Sequence, residues 1–464
     1  MRLTRLPYRV DSADLFETIA DEPWSVFLDS GRPHAACGGR FDILSARPFL
    51  TLVTRGEVTE IRQAGQITHS GADPFSLLRQ HLAVHAGPAD AALPFTGGAI
   101  GYFGYDLARR IESLPEQPAR GAQVPDMAIG FYDWAVLVDH LEQTCWLVGA
   151  GRDAATAAQW QSLVALFSAP PAESAAVVRQ PFHAGEVNRE LTRDAYFSAF
   201  ARIQRYIHAG DCYQVNLAQR FTARVVGDAW LGYRMLRRIN PAPHAAYLNQ
   251  PEVRVLSSSP ERFLEVRAGR VSTRPIKGTR PRSPTPATDA ALARELLDSA
   301  KDRAENLMIV DLLRNDLGKV CQPGSVETPR LFEIESYASV HHLVSTVTGR
   351  LAQDCDAVEV LRAAFPGGSI TGAPKLRAMQ IIAELEPARR GVYCGAIGWL
   401  GFNGDMDSSI AIRTAVTTGD EITFWTGGGI VADSDAAAEY QECFDKAAAL
   451  LHWLGACHPV EGRL

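Results

Sequence analysis

From Thr192 to His208 apolar side chains return at Tyr196, Phe200, Ile203 and Ile207, the spacing of one helical face; Thr192 can cap this helix and Gly210 can end it. Similar patterning predicts helices over about 74–81, 160–167, 288–299, 302–315 and 434–453. Short apolar or alternating runs predict strands at 24–28, 41–46, 49–53, 57–63, 135–139, 213–217, 393–400, 409–417 and 421–426. Strands and helices interleave irregularly, without a strict βα repeat, so the predicted class is α+β. From Gly149 to about Glu190 the chain turns rich in Ala, Ser and Pro, including Ser168-Ala-Pro-Pro-Ala-Glu-Ser, the composition of an exposed connection. A boundary near residue 185 then divides an N-terminal region, 1–185, from a second region, 186–464.

Composition narrows the classes. The 464 residues are 46% apolar with a formal charge of −7, ample for a large core and unsuited to bulk binding of nucleic acid or an anionic membrane. No run approaches the ~18 apolar residues of a membrane span, and Met1-Arg-Leu-Thr-Arg-Leu-Pro lacks a secretory core. Eight scattered cysteines with no C-x-x-C pair speak against a disulfide framework or a structural zinc site. The expectation is a cytoplasmic protein without nucleic-acid or membrane partners.

Three groups of residues could carry chemistry. Glu439, Glu442 and Lys446 project from one face of the last helix, and Asp302 and Glu305 stand three apart on an earlier one. Paired carboxylates on two helices suit an oxygen-ligated Mg²⁺, although a solvated charged face has the same spacing. A hairpin with a three-residue loop, Ala268-Gly269-Arg270, would place Glu261 directly opposite Lys277. Burial would hold such an acid protonated and such an amine neutral, the forms needed in a proton donor and a nucleophile; a surface salt bridge is the plainer alternative. Thr426-Gly-Gly-Gly-Ile430 could offer bare N–H groups to a carboxylate, or simply turn strand into helix. Gly-x-Ser-x-Gly, His-Glu-x-x-His and a contiguous Gly-Lys-Ser/Thr are absent, and Gly97–Gly104 lacks dinucleotide spacing. His341-His342 alone reads as core or surface.

Taken together, Asp211-Cys-Tyr-Gln-Val-Asn-Leu-Ala-Gln-Arg-Phe, Ser259-Pro-Glu-Arg-Phe, Pro275-Ile-Lys-Gly-Thr-Arg-Pro-Arg, Asp311-Leu-Leu-Arg-Asn-Asp-Leu-Gly, Gly368-Ser-Ile-Thr-Gly-Ala-Pro-Lys and Gly427-Gly-Gly-Ile-Val-Ala-Asp-Ser resemble, in order, the motifs of the chorismate-utilising enzymes. That family includes anthranilate, aminodeoxychorismate, isochorismate and salicylate synthases. Phe27-Leu-Asp-Ser, Gly39-Arg-Phe-Asp-Ile-Leu-Ser-Ala-Arg-Pro and Gly97–Asp106 look like its N-terminal region. The resemblance implies two packed β-sheets forming a central sandwich with helices outside. Isochorismate and salicylate synthases carry a water-activating lysine where this chain has Gln214, and anthranilate synthases carry alanine where it has Lys277.

Lys277 therefore looks like the branch that aminates chorismate at C4, toward para-aminobenzoate and folate, with anthranilate synthesis as the alternative. A non-catalytic subunit binding chorismate or tryptophan is a third reading, opposed by the intact Lys277, Glu305 and Glu442. By the same resemblance Lys277 is the covalent nucleophile and Glu261 the proton donor. Glu305 and Glu442 would hold Mg²⁺, with Asp302 and Glu439 acting through water. Arg413 and Tyr393 would hold the side-chain carboxylate, joined around the substrate by Gly427, Gly429, Lys446, His342 and Ser369, the last a threonine in many relatives. No Gly-x-Cys-x-Gly signature is present, so ammonia would come from solution or from a separate glutamine amidotransferase subunit. Leu28, Ser30 and Pro241 match positions that hold a tryptophan in relatives, whereas Asp29 and Ala242 depart from that pattern.

Overall fold

The computed structural model describes residues 1–35, 39–87, 93–117, 124–170, 179–337 and 340–458. Among these, a 13-stranded and a 12-stranded sheet form the body of the molecule. One apolar cluster joins them, with Val26, Ile43, Leu137 and Val255 from the first sheet meeting Ile100, Tyr102, Ala128 and Ile397 from the second. Helices lie outside: Ala300–Gly318 against the strands Ile276–Pro281 and Val340–Arg350, Lys375–Leu385 against Gln214–Val226, and Ala436–Ala456 against Glu421–Ile430. This is the expected α+β sandwich.

Most predicted elements are present with ends moved by a few residues. The helix capped by Thr192 runs Arg193–His208, with the Thr192 side chain accepting from the Ala195 N–H. The run expected as one strand over 409–417 is two, Met406–Ile410 and Thr414–Thr418, because the backbone breaks at Arg413, where φ is +49°. Neither sheet stops at residue 185. Leu28 pairs with Ala246 in one and Ile100 with Trp399 in the other, so hydrogen bonding is continuous between the two regions. Residues 171–178 of the expected connection, and Cys37, lie outside the described residues; the seven described cysteines are free.

The hairpin differs from expectation in a way that bears on the site. Its loop is Ala268-Gly269, two residues with φ of +48° and +73°, and Val266 pairs with Val271. A two-residue turn of this hand matches the twist of the flanking strands, and it moves the register by one position. The chain then leaves the hairpin after Thr273, and Ile276–Pro281 pairs with Val340–Arg350 instead. Glu261 and Lys277 are therefore not cross-strand partners. The triple glycine is also not a turn: it lies in Glu421–Ile430, with Gly427 opposite Ala218, Gly428 opposite Leu217 and Gly429 opposite Asn216. A Cβ on Gly427 would stand 2.4 Å from the Leu217 carbonyl oxygen, which excludes larger residues there.

Candidate active site

Glu261 and Lys277, apart in the ladder, still meet through a third residue. Ser369, in the short turn Gly368–Ile370, donates its hydroxyl to Glu261 Oε1 at 2.9 Å, and its carbonyl accepts from Lys277 Nζ at 3.4 Å. The Ile276 N–H, one residue before the lysine, also bonds the Glu261 carboxylate. Glu261 is buried, and burial pushes its carboxyl up, against the opposing pull of the Ser369 hydroxyl and of Lys277. Burial pushes the Lys277 amine down; Glu305, Glu261 and Glu442 oppose this, and Lys446 adds to it. Acid and amine are thus both driven toward their neutral forms, so this is not an ordinary surface salt bridge.

The carboxylates face the same amine from two helices. Burial raises Glu305 and Glu439, and the neighbouring Glu442 raises both further. Glu439 Oε1 accepts from Ser434 Oγ at 2.7 Å, but its Oε2 is buried without a hydrogen-bond partner. A Cβ on Gly428 would lie 2.8 Å from that oxygen, so the glycine keeps the strand surface open for it. Lys446 Nζ pairs with Glu442 at 2.6 Å and donates to the Gly427 carbonyl at 3.0 Å. Asp302 is engaged elsewhere, by Arg280 at 3.1 Å. No three His, Cys, Asp or Glu side chains are gathered into ion-holding geometry among the described residues. Even so, mutually repelling hard oxygens with one orphaned acceptor suit a divalent cation supplied with water and substrate.

Arg413 is an electrostatic neighbour of both His342 and Tyr393. Arg413 is half-buried and makes no ion pair among the described residues; burial lowers its pKa. Its charge adds to burial in pushing His342 down to about 4, so that ring is neutral near pH 7, with Nδ1 2.9 Å from Thr279 Oγ1. Tyr393 is buried and stacked on Trp425 with ring centroids 6.1 Å apart. Gln214 is wholly buried with both amide atoms unpartnered, beside Gly429. His341 is held away by Ser336 at 2.8 Å and Asp289 at 3.0 Å, as the plainer reading of the histidine pair expects. Glu386 and Arg390 form a buried ion pair against Tyr393, of which the sequence carries one signal, their four-residue spacing.

The expected tryptophan positions are split. Leu28 lines a cavity of about 810 Å³ with Asp29, Pro243, His244 and Trp399, whereas Ser30 and Pro241 do not line it. Ser30 is buried with an unpartnered hydroxyl, and Asp29 is locked by Arg237 at 2.7 Å. Pro260 and Ile276 line this cavity, but their neighbours Glu261 and Lys277 do not.

The family of chorismate binding enzymes matches residues 38–452. The chain belongs to that family. Among chorismate binding enzymes, it is 49% identical over 453 residues to aminodeoxychorismate synthase component 1 of Klebsiella aerogenes, covering 97% of this chain and 98% of that protein. It is 47% identical over 455 residues to the component 1 of Escherichia coli, covering 97% of each. The crystal structure of anthranilate synthase component I from Streptococcus pneumoniae superposes with a TM-score of 0.78 at 33% identity, covering 88% of this chain and 91% of that one. No described helix is long and apolar enough to cross a membrane.

Proposed function

We propose that this chorismate binding enzyme aminates chorismate at C4 as the synthase component of an aminodeoxychorismate synthase, for the route to para-aminobenzoate and folate. The observation that carries the reading is the meeting of a neutral-leaning amine, Lys277, with a neutral-leaning acid, Glu261, on one residue, Ser369. The extent of similarity to component 1 proteins supports it.

On this reading the Lys277 nitrogen bonds to C2 of the ring as the C4–O bond breaks, and Glu261 gives its proton to the departing hydroxyl, which leaves as water. Both ring double bonds shift, C1=C2 to C1=C6 and C5=C6 to C4=C5, and the lysine nitrogen loses a proton. Ammonia then adds at C4 and the C2–N bond to Lys277 breaks, its electron pair returning to the lysine with a proton. Arg413, without an ion pair among the described residues, binds the side-chain carboxylate beside Tyr393 and neutral His342, while Gly427 and Gly429 of the strand and Lys446 of the last helix help hold the substrate. Glu305 and Glu442, with Glu439 and Asp302 through water, would hold Mg²⁺, whose charge would offset the repulsion between these acids and the ring carboxylate. A separate glutamine amidotransferase supplies ammonia, and tryptophan occupies the cavity at Leu28, of whose lining Ser30 and Pro241 are no part.

The test is product analysis after mixing the protein, chorismate, Mg²⁺ and ammonium. 4-Amino-4-deoxychorismate supports the proposal; anthranilate and pyruvate overturn it in favour of anthranilate synthesis. Lys277→Ala should abolish the covalent adduct seen by intact mass, and an adduct that persists removes Lys277 as its site. Calorimetry with tryptophan checks the cavity; absence of heat at millimolar ligand removes that part.

A further inference from the structure

Close to Ser369 and Tyr393 lies a buried ion pair, Glu386 with Arg390. Arg390 and Glu386 are each 3% exposed. Arg390 Nη2 and Nε hold the two Glu386 oxygens at 2.6 and 2.8 Å. Further donors reach main-chain oxygens. Nη1 reaches the Ile370 carbonyl at 3.0 Å and Nη2 the Asn216 carbonyl at 3.0 Å, while Glu386 Oε1 accepts from the Ala218 N–H at 2.9 Å. The guanidinium carbon lies 5.6 Å from the Tyr393 ring centroid and 4.8 Å from that of Tyr105.

Each of these tethers is adjacent to a residue of the site. Ile370 follows Ser369, the residue shared by Glu261 and Lys277. Asn216 and Ala218 sit on the strand of Gln214, opposite Gly429 and Gly427. Tyr393 lies directly against the cation. Three segments remote in sequence are thus joined by one planar fork, and a lysine in its place could not span the same acceptors. A buried ion pair of this kind is a poor source of stability, since apolar residues of similar volume often serve as well. Its value lies in fixing positions.

We infer that Glu386 and Arg390 are positioning residues for chorismate turnover: a buried clamp that sets Ser369, Tyr393 and the Gln214–Ala218 segment relative to one another before substrate arrives. The inference builds on the proposed reaction, so its test reads chorismate consumption and product identity separately. Two variants are compared with wild type, Arg390→Lys, which keeps the charge and loses the fork, and Glu386→Leu combined with Arg390→Met, which removes both charges. Thermal melting shows which variants fold. A displacement of about 1 Å among reacting groups can cost about 10²-fold in rate. The expected result is therefore a fall in kcat of about 100-fold in a folded variant, with KM for chorismate changed by less than about tenfold. A folded variant of either kind with kcat within twofold of wild type overturns the inference, as does a loss of melting temperature with kcat unchanged. If wild type yields a product other than 4-amino-4-deoxychorismate, the proposed reaction fails, while the ratio of consumption rates still decides the clamp.

Discussion

Removing one hydroxyl should shift the proton chemistry of the site in a predictable direction. Ser369→Ala deletes the 2.9 Å bond donated to Glu261 Oε1 and leaves the main-chain carbonyl that accepts from Lys277 in place. A hydrogen bond to a charged group contributes about 1.5–3 kcal/mol, and one pKa unit corresponds to about 1.4 kcal/mol. The bond favours the ionised carboxylate, so its loss raises the Glu261 pKa further. Glu261 is 7% exposed, so water compensates little. Adduct formation needs Glu261 protonated and Lys277 neutral. At pH above both pKa values the rate follows the protonated fraction of Glu261; below both it follows the neutral fraction of Lys277, which the substitution leaves alone. The ratio of alkaline-limb to acid-limb rates should therefore rise about ten- to hundredfold. The assay is single-turnover adduct formation followed by intact mass across a pH series, with chorismate and Mg²⁺ but no ammonium, so that ammonia does not titrate. A ratio that stays the same or falls would refute Glu261 as the proton donor tuned by Ser369.

Further outcomes can be stated for the other residues of the site. Gly428→Ala places a Cβ 2.8 Å from Glu439 Oε2. Overpacking of about 1–3 kcal/mol, felt at the carboxylates, should raise the Mg²⁺ needed for half-maximal turnover roughly ten- to hundredfold; an unchanged titration counts against the ion site. Glu442→Ala should weaken Mg²⁺-dependent turnover severely, and undiminished dependence removes Glu442 as a ligand. Arg413→Met removes the cation proposed to bind the side-chain carboxylate, and the loss of charged hydrogen bonds worth about 1.5–3 kcal/mol should raise KM for chorismate about ten- to hundredfold. An unchanged KM would take Arg413 out of the pocket.

The raised carboxyls of Glu305 and Glu439 and the lowered amine of Lys277 belong to one arrangement. A dianionic substrate meets repulsion from Glu305, Glu439 and Glu442 unless cations intervene. Lys446 answers one carboxylate directly, and the orphaned oxygen of Glu439 leaves room for a further cation. The separate cavity beside Pro260 and Ile276 touches the neighbours of the reacting pair and neither member of it.

Local patterning determined the elements that depend on local forces. The Thr192 cap, the Tyr196–Ile203 stripe and the paired carboxylates on helices follow from backbone geometry and side-chain periodicity, which a sequence states directly. The identities of Lys277, Glu261 and Ser369 were likewise legible, as parts of ordered motifs. What only the tertiary structure decided was how distant segments meet. The hairpin loop has two residues rather than three, a difference set by positive φ at Ala268 and Gly269, and it separates Glu261 from Lys277 in the ladder. Ser369, about ninety residues along the chain from Lys277, restores the meeting. Both sheets pair strands from either side of residue 185, and Arg390 gathers three segments under Tyr393, because pairing and burial between remote stretches depend on the packing of the whole chain.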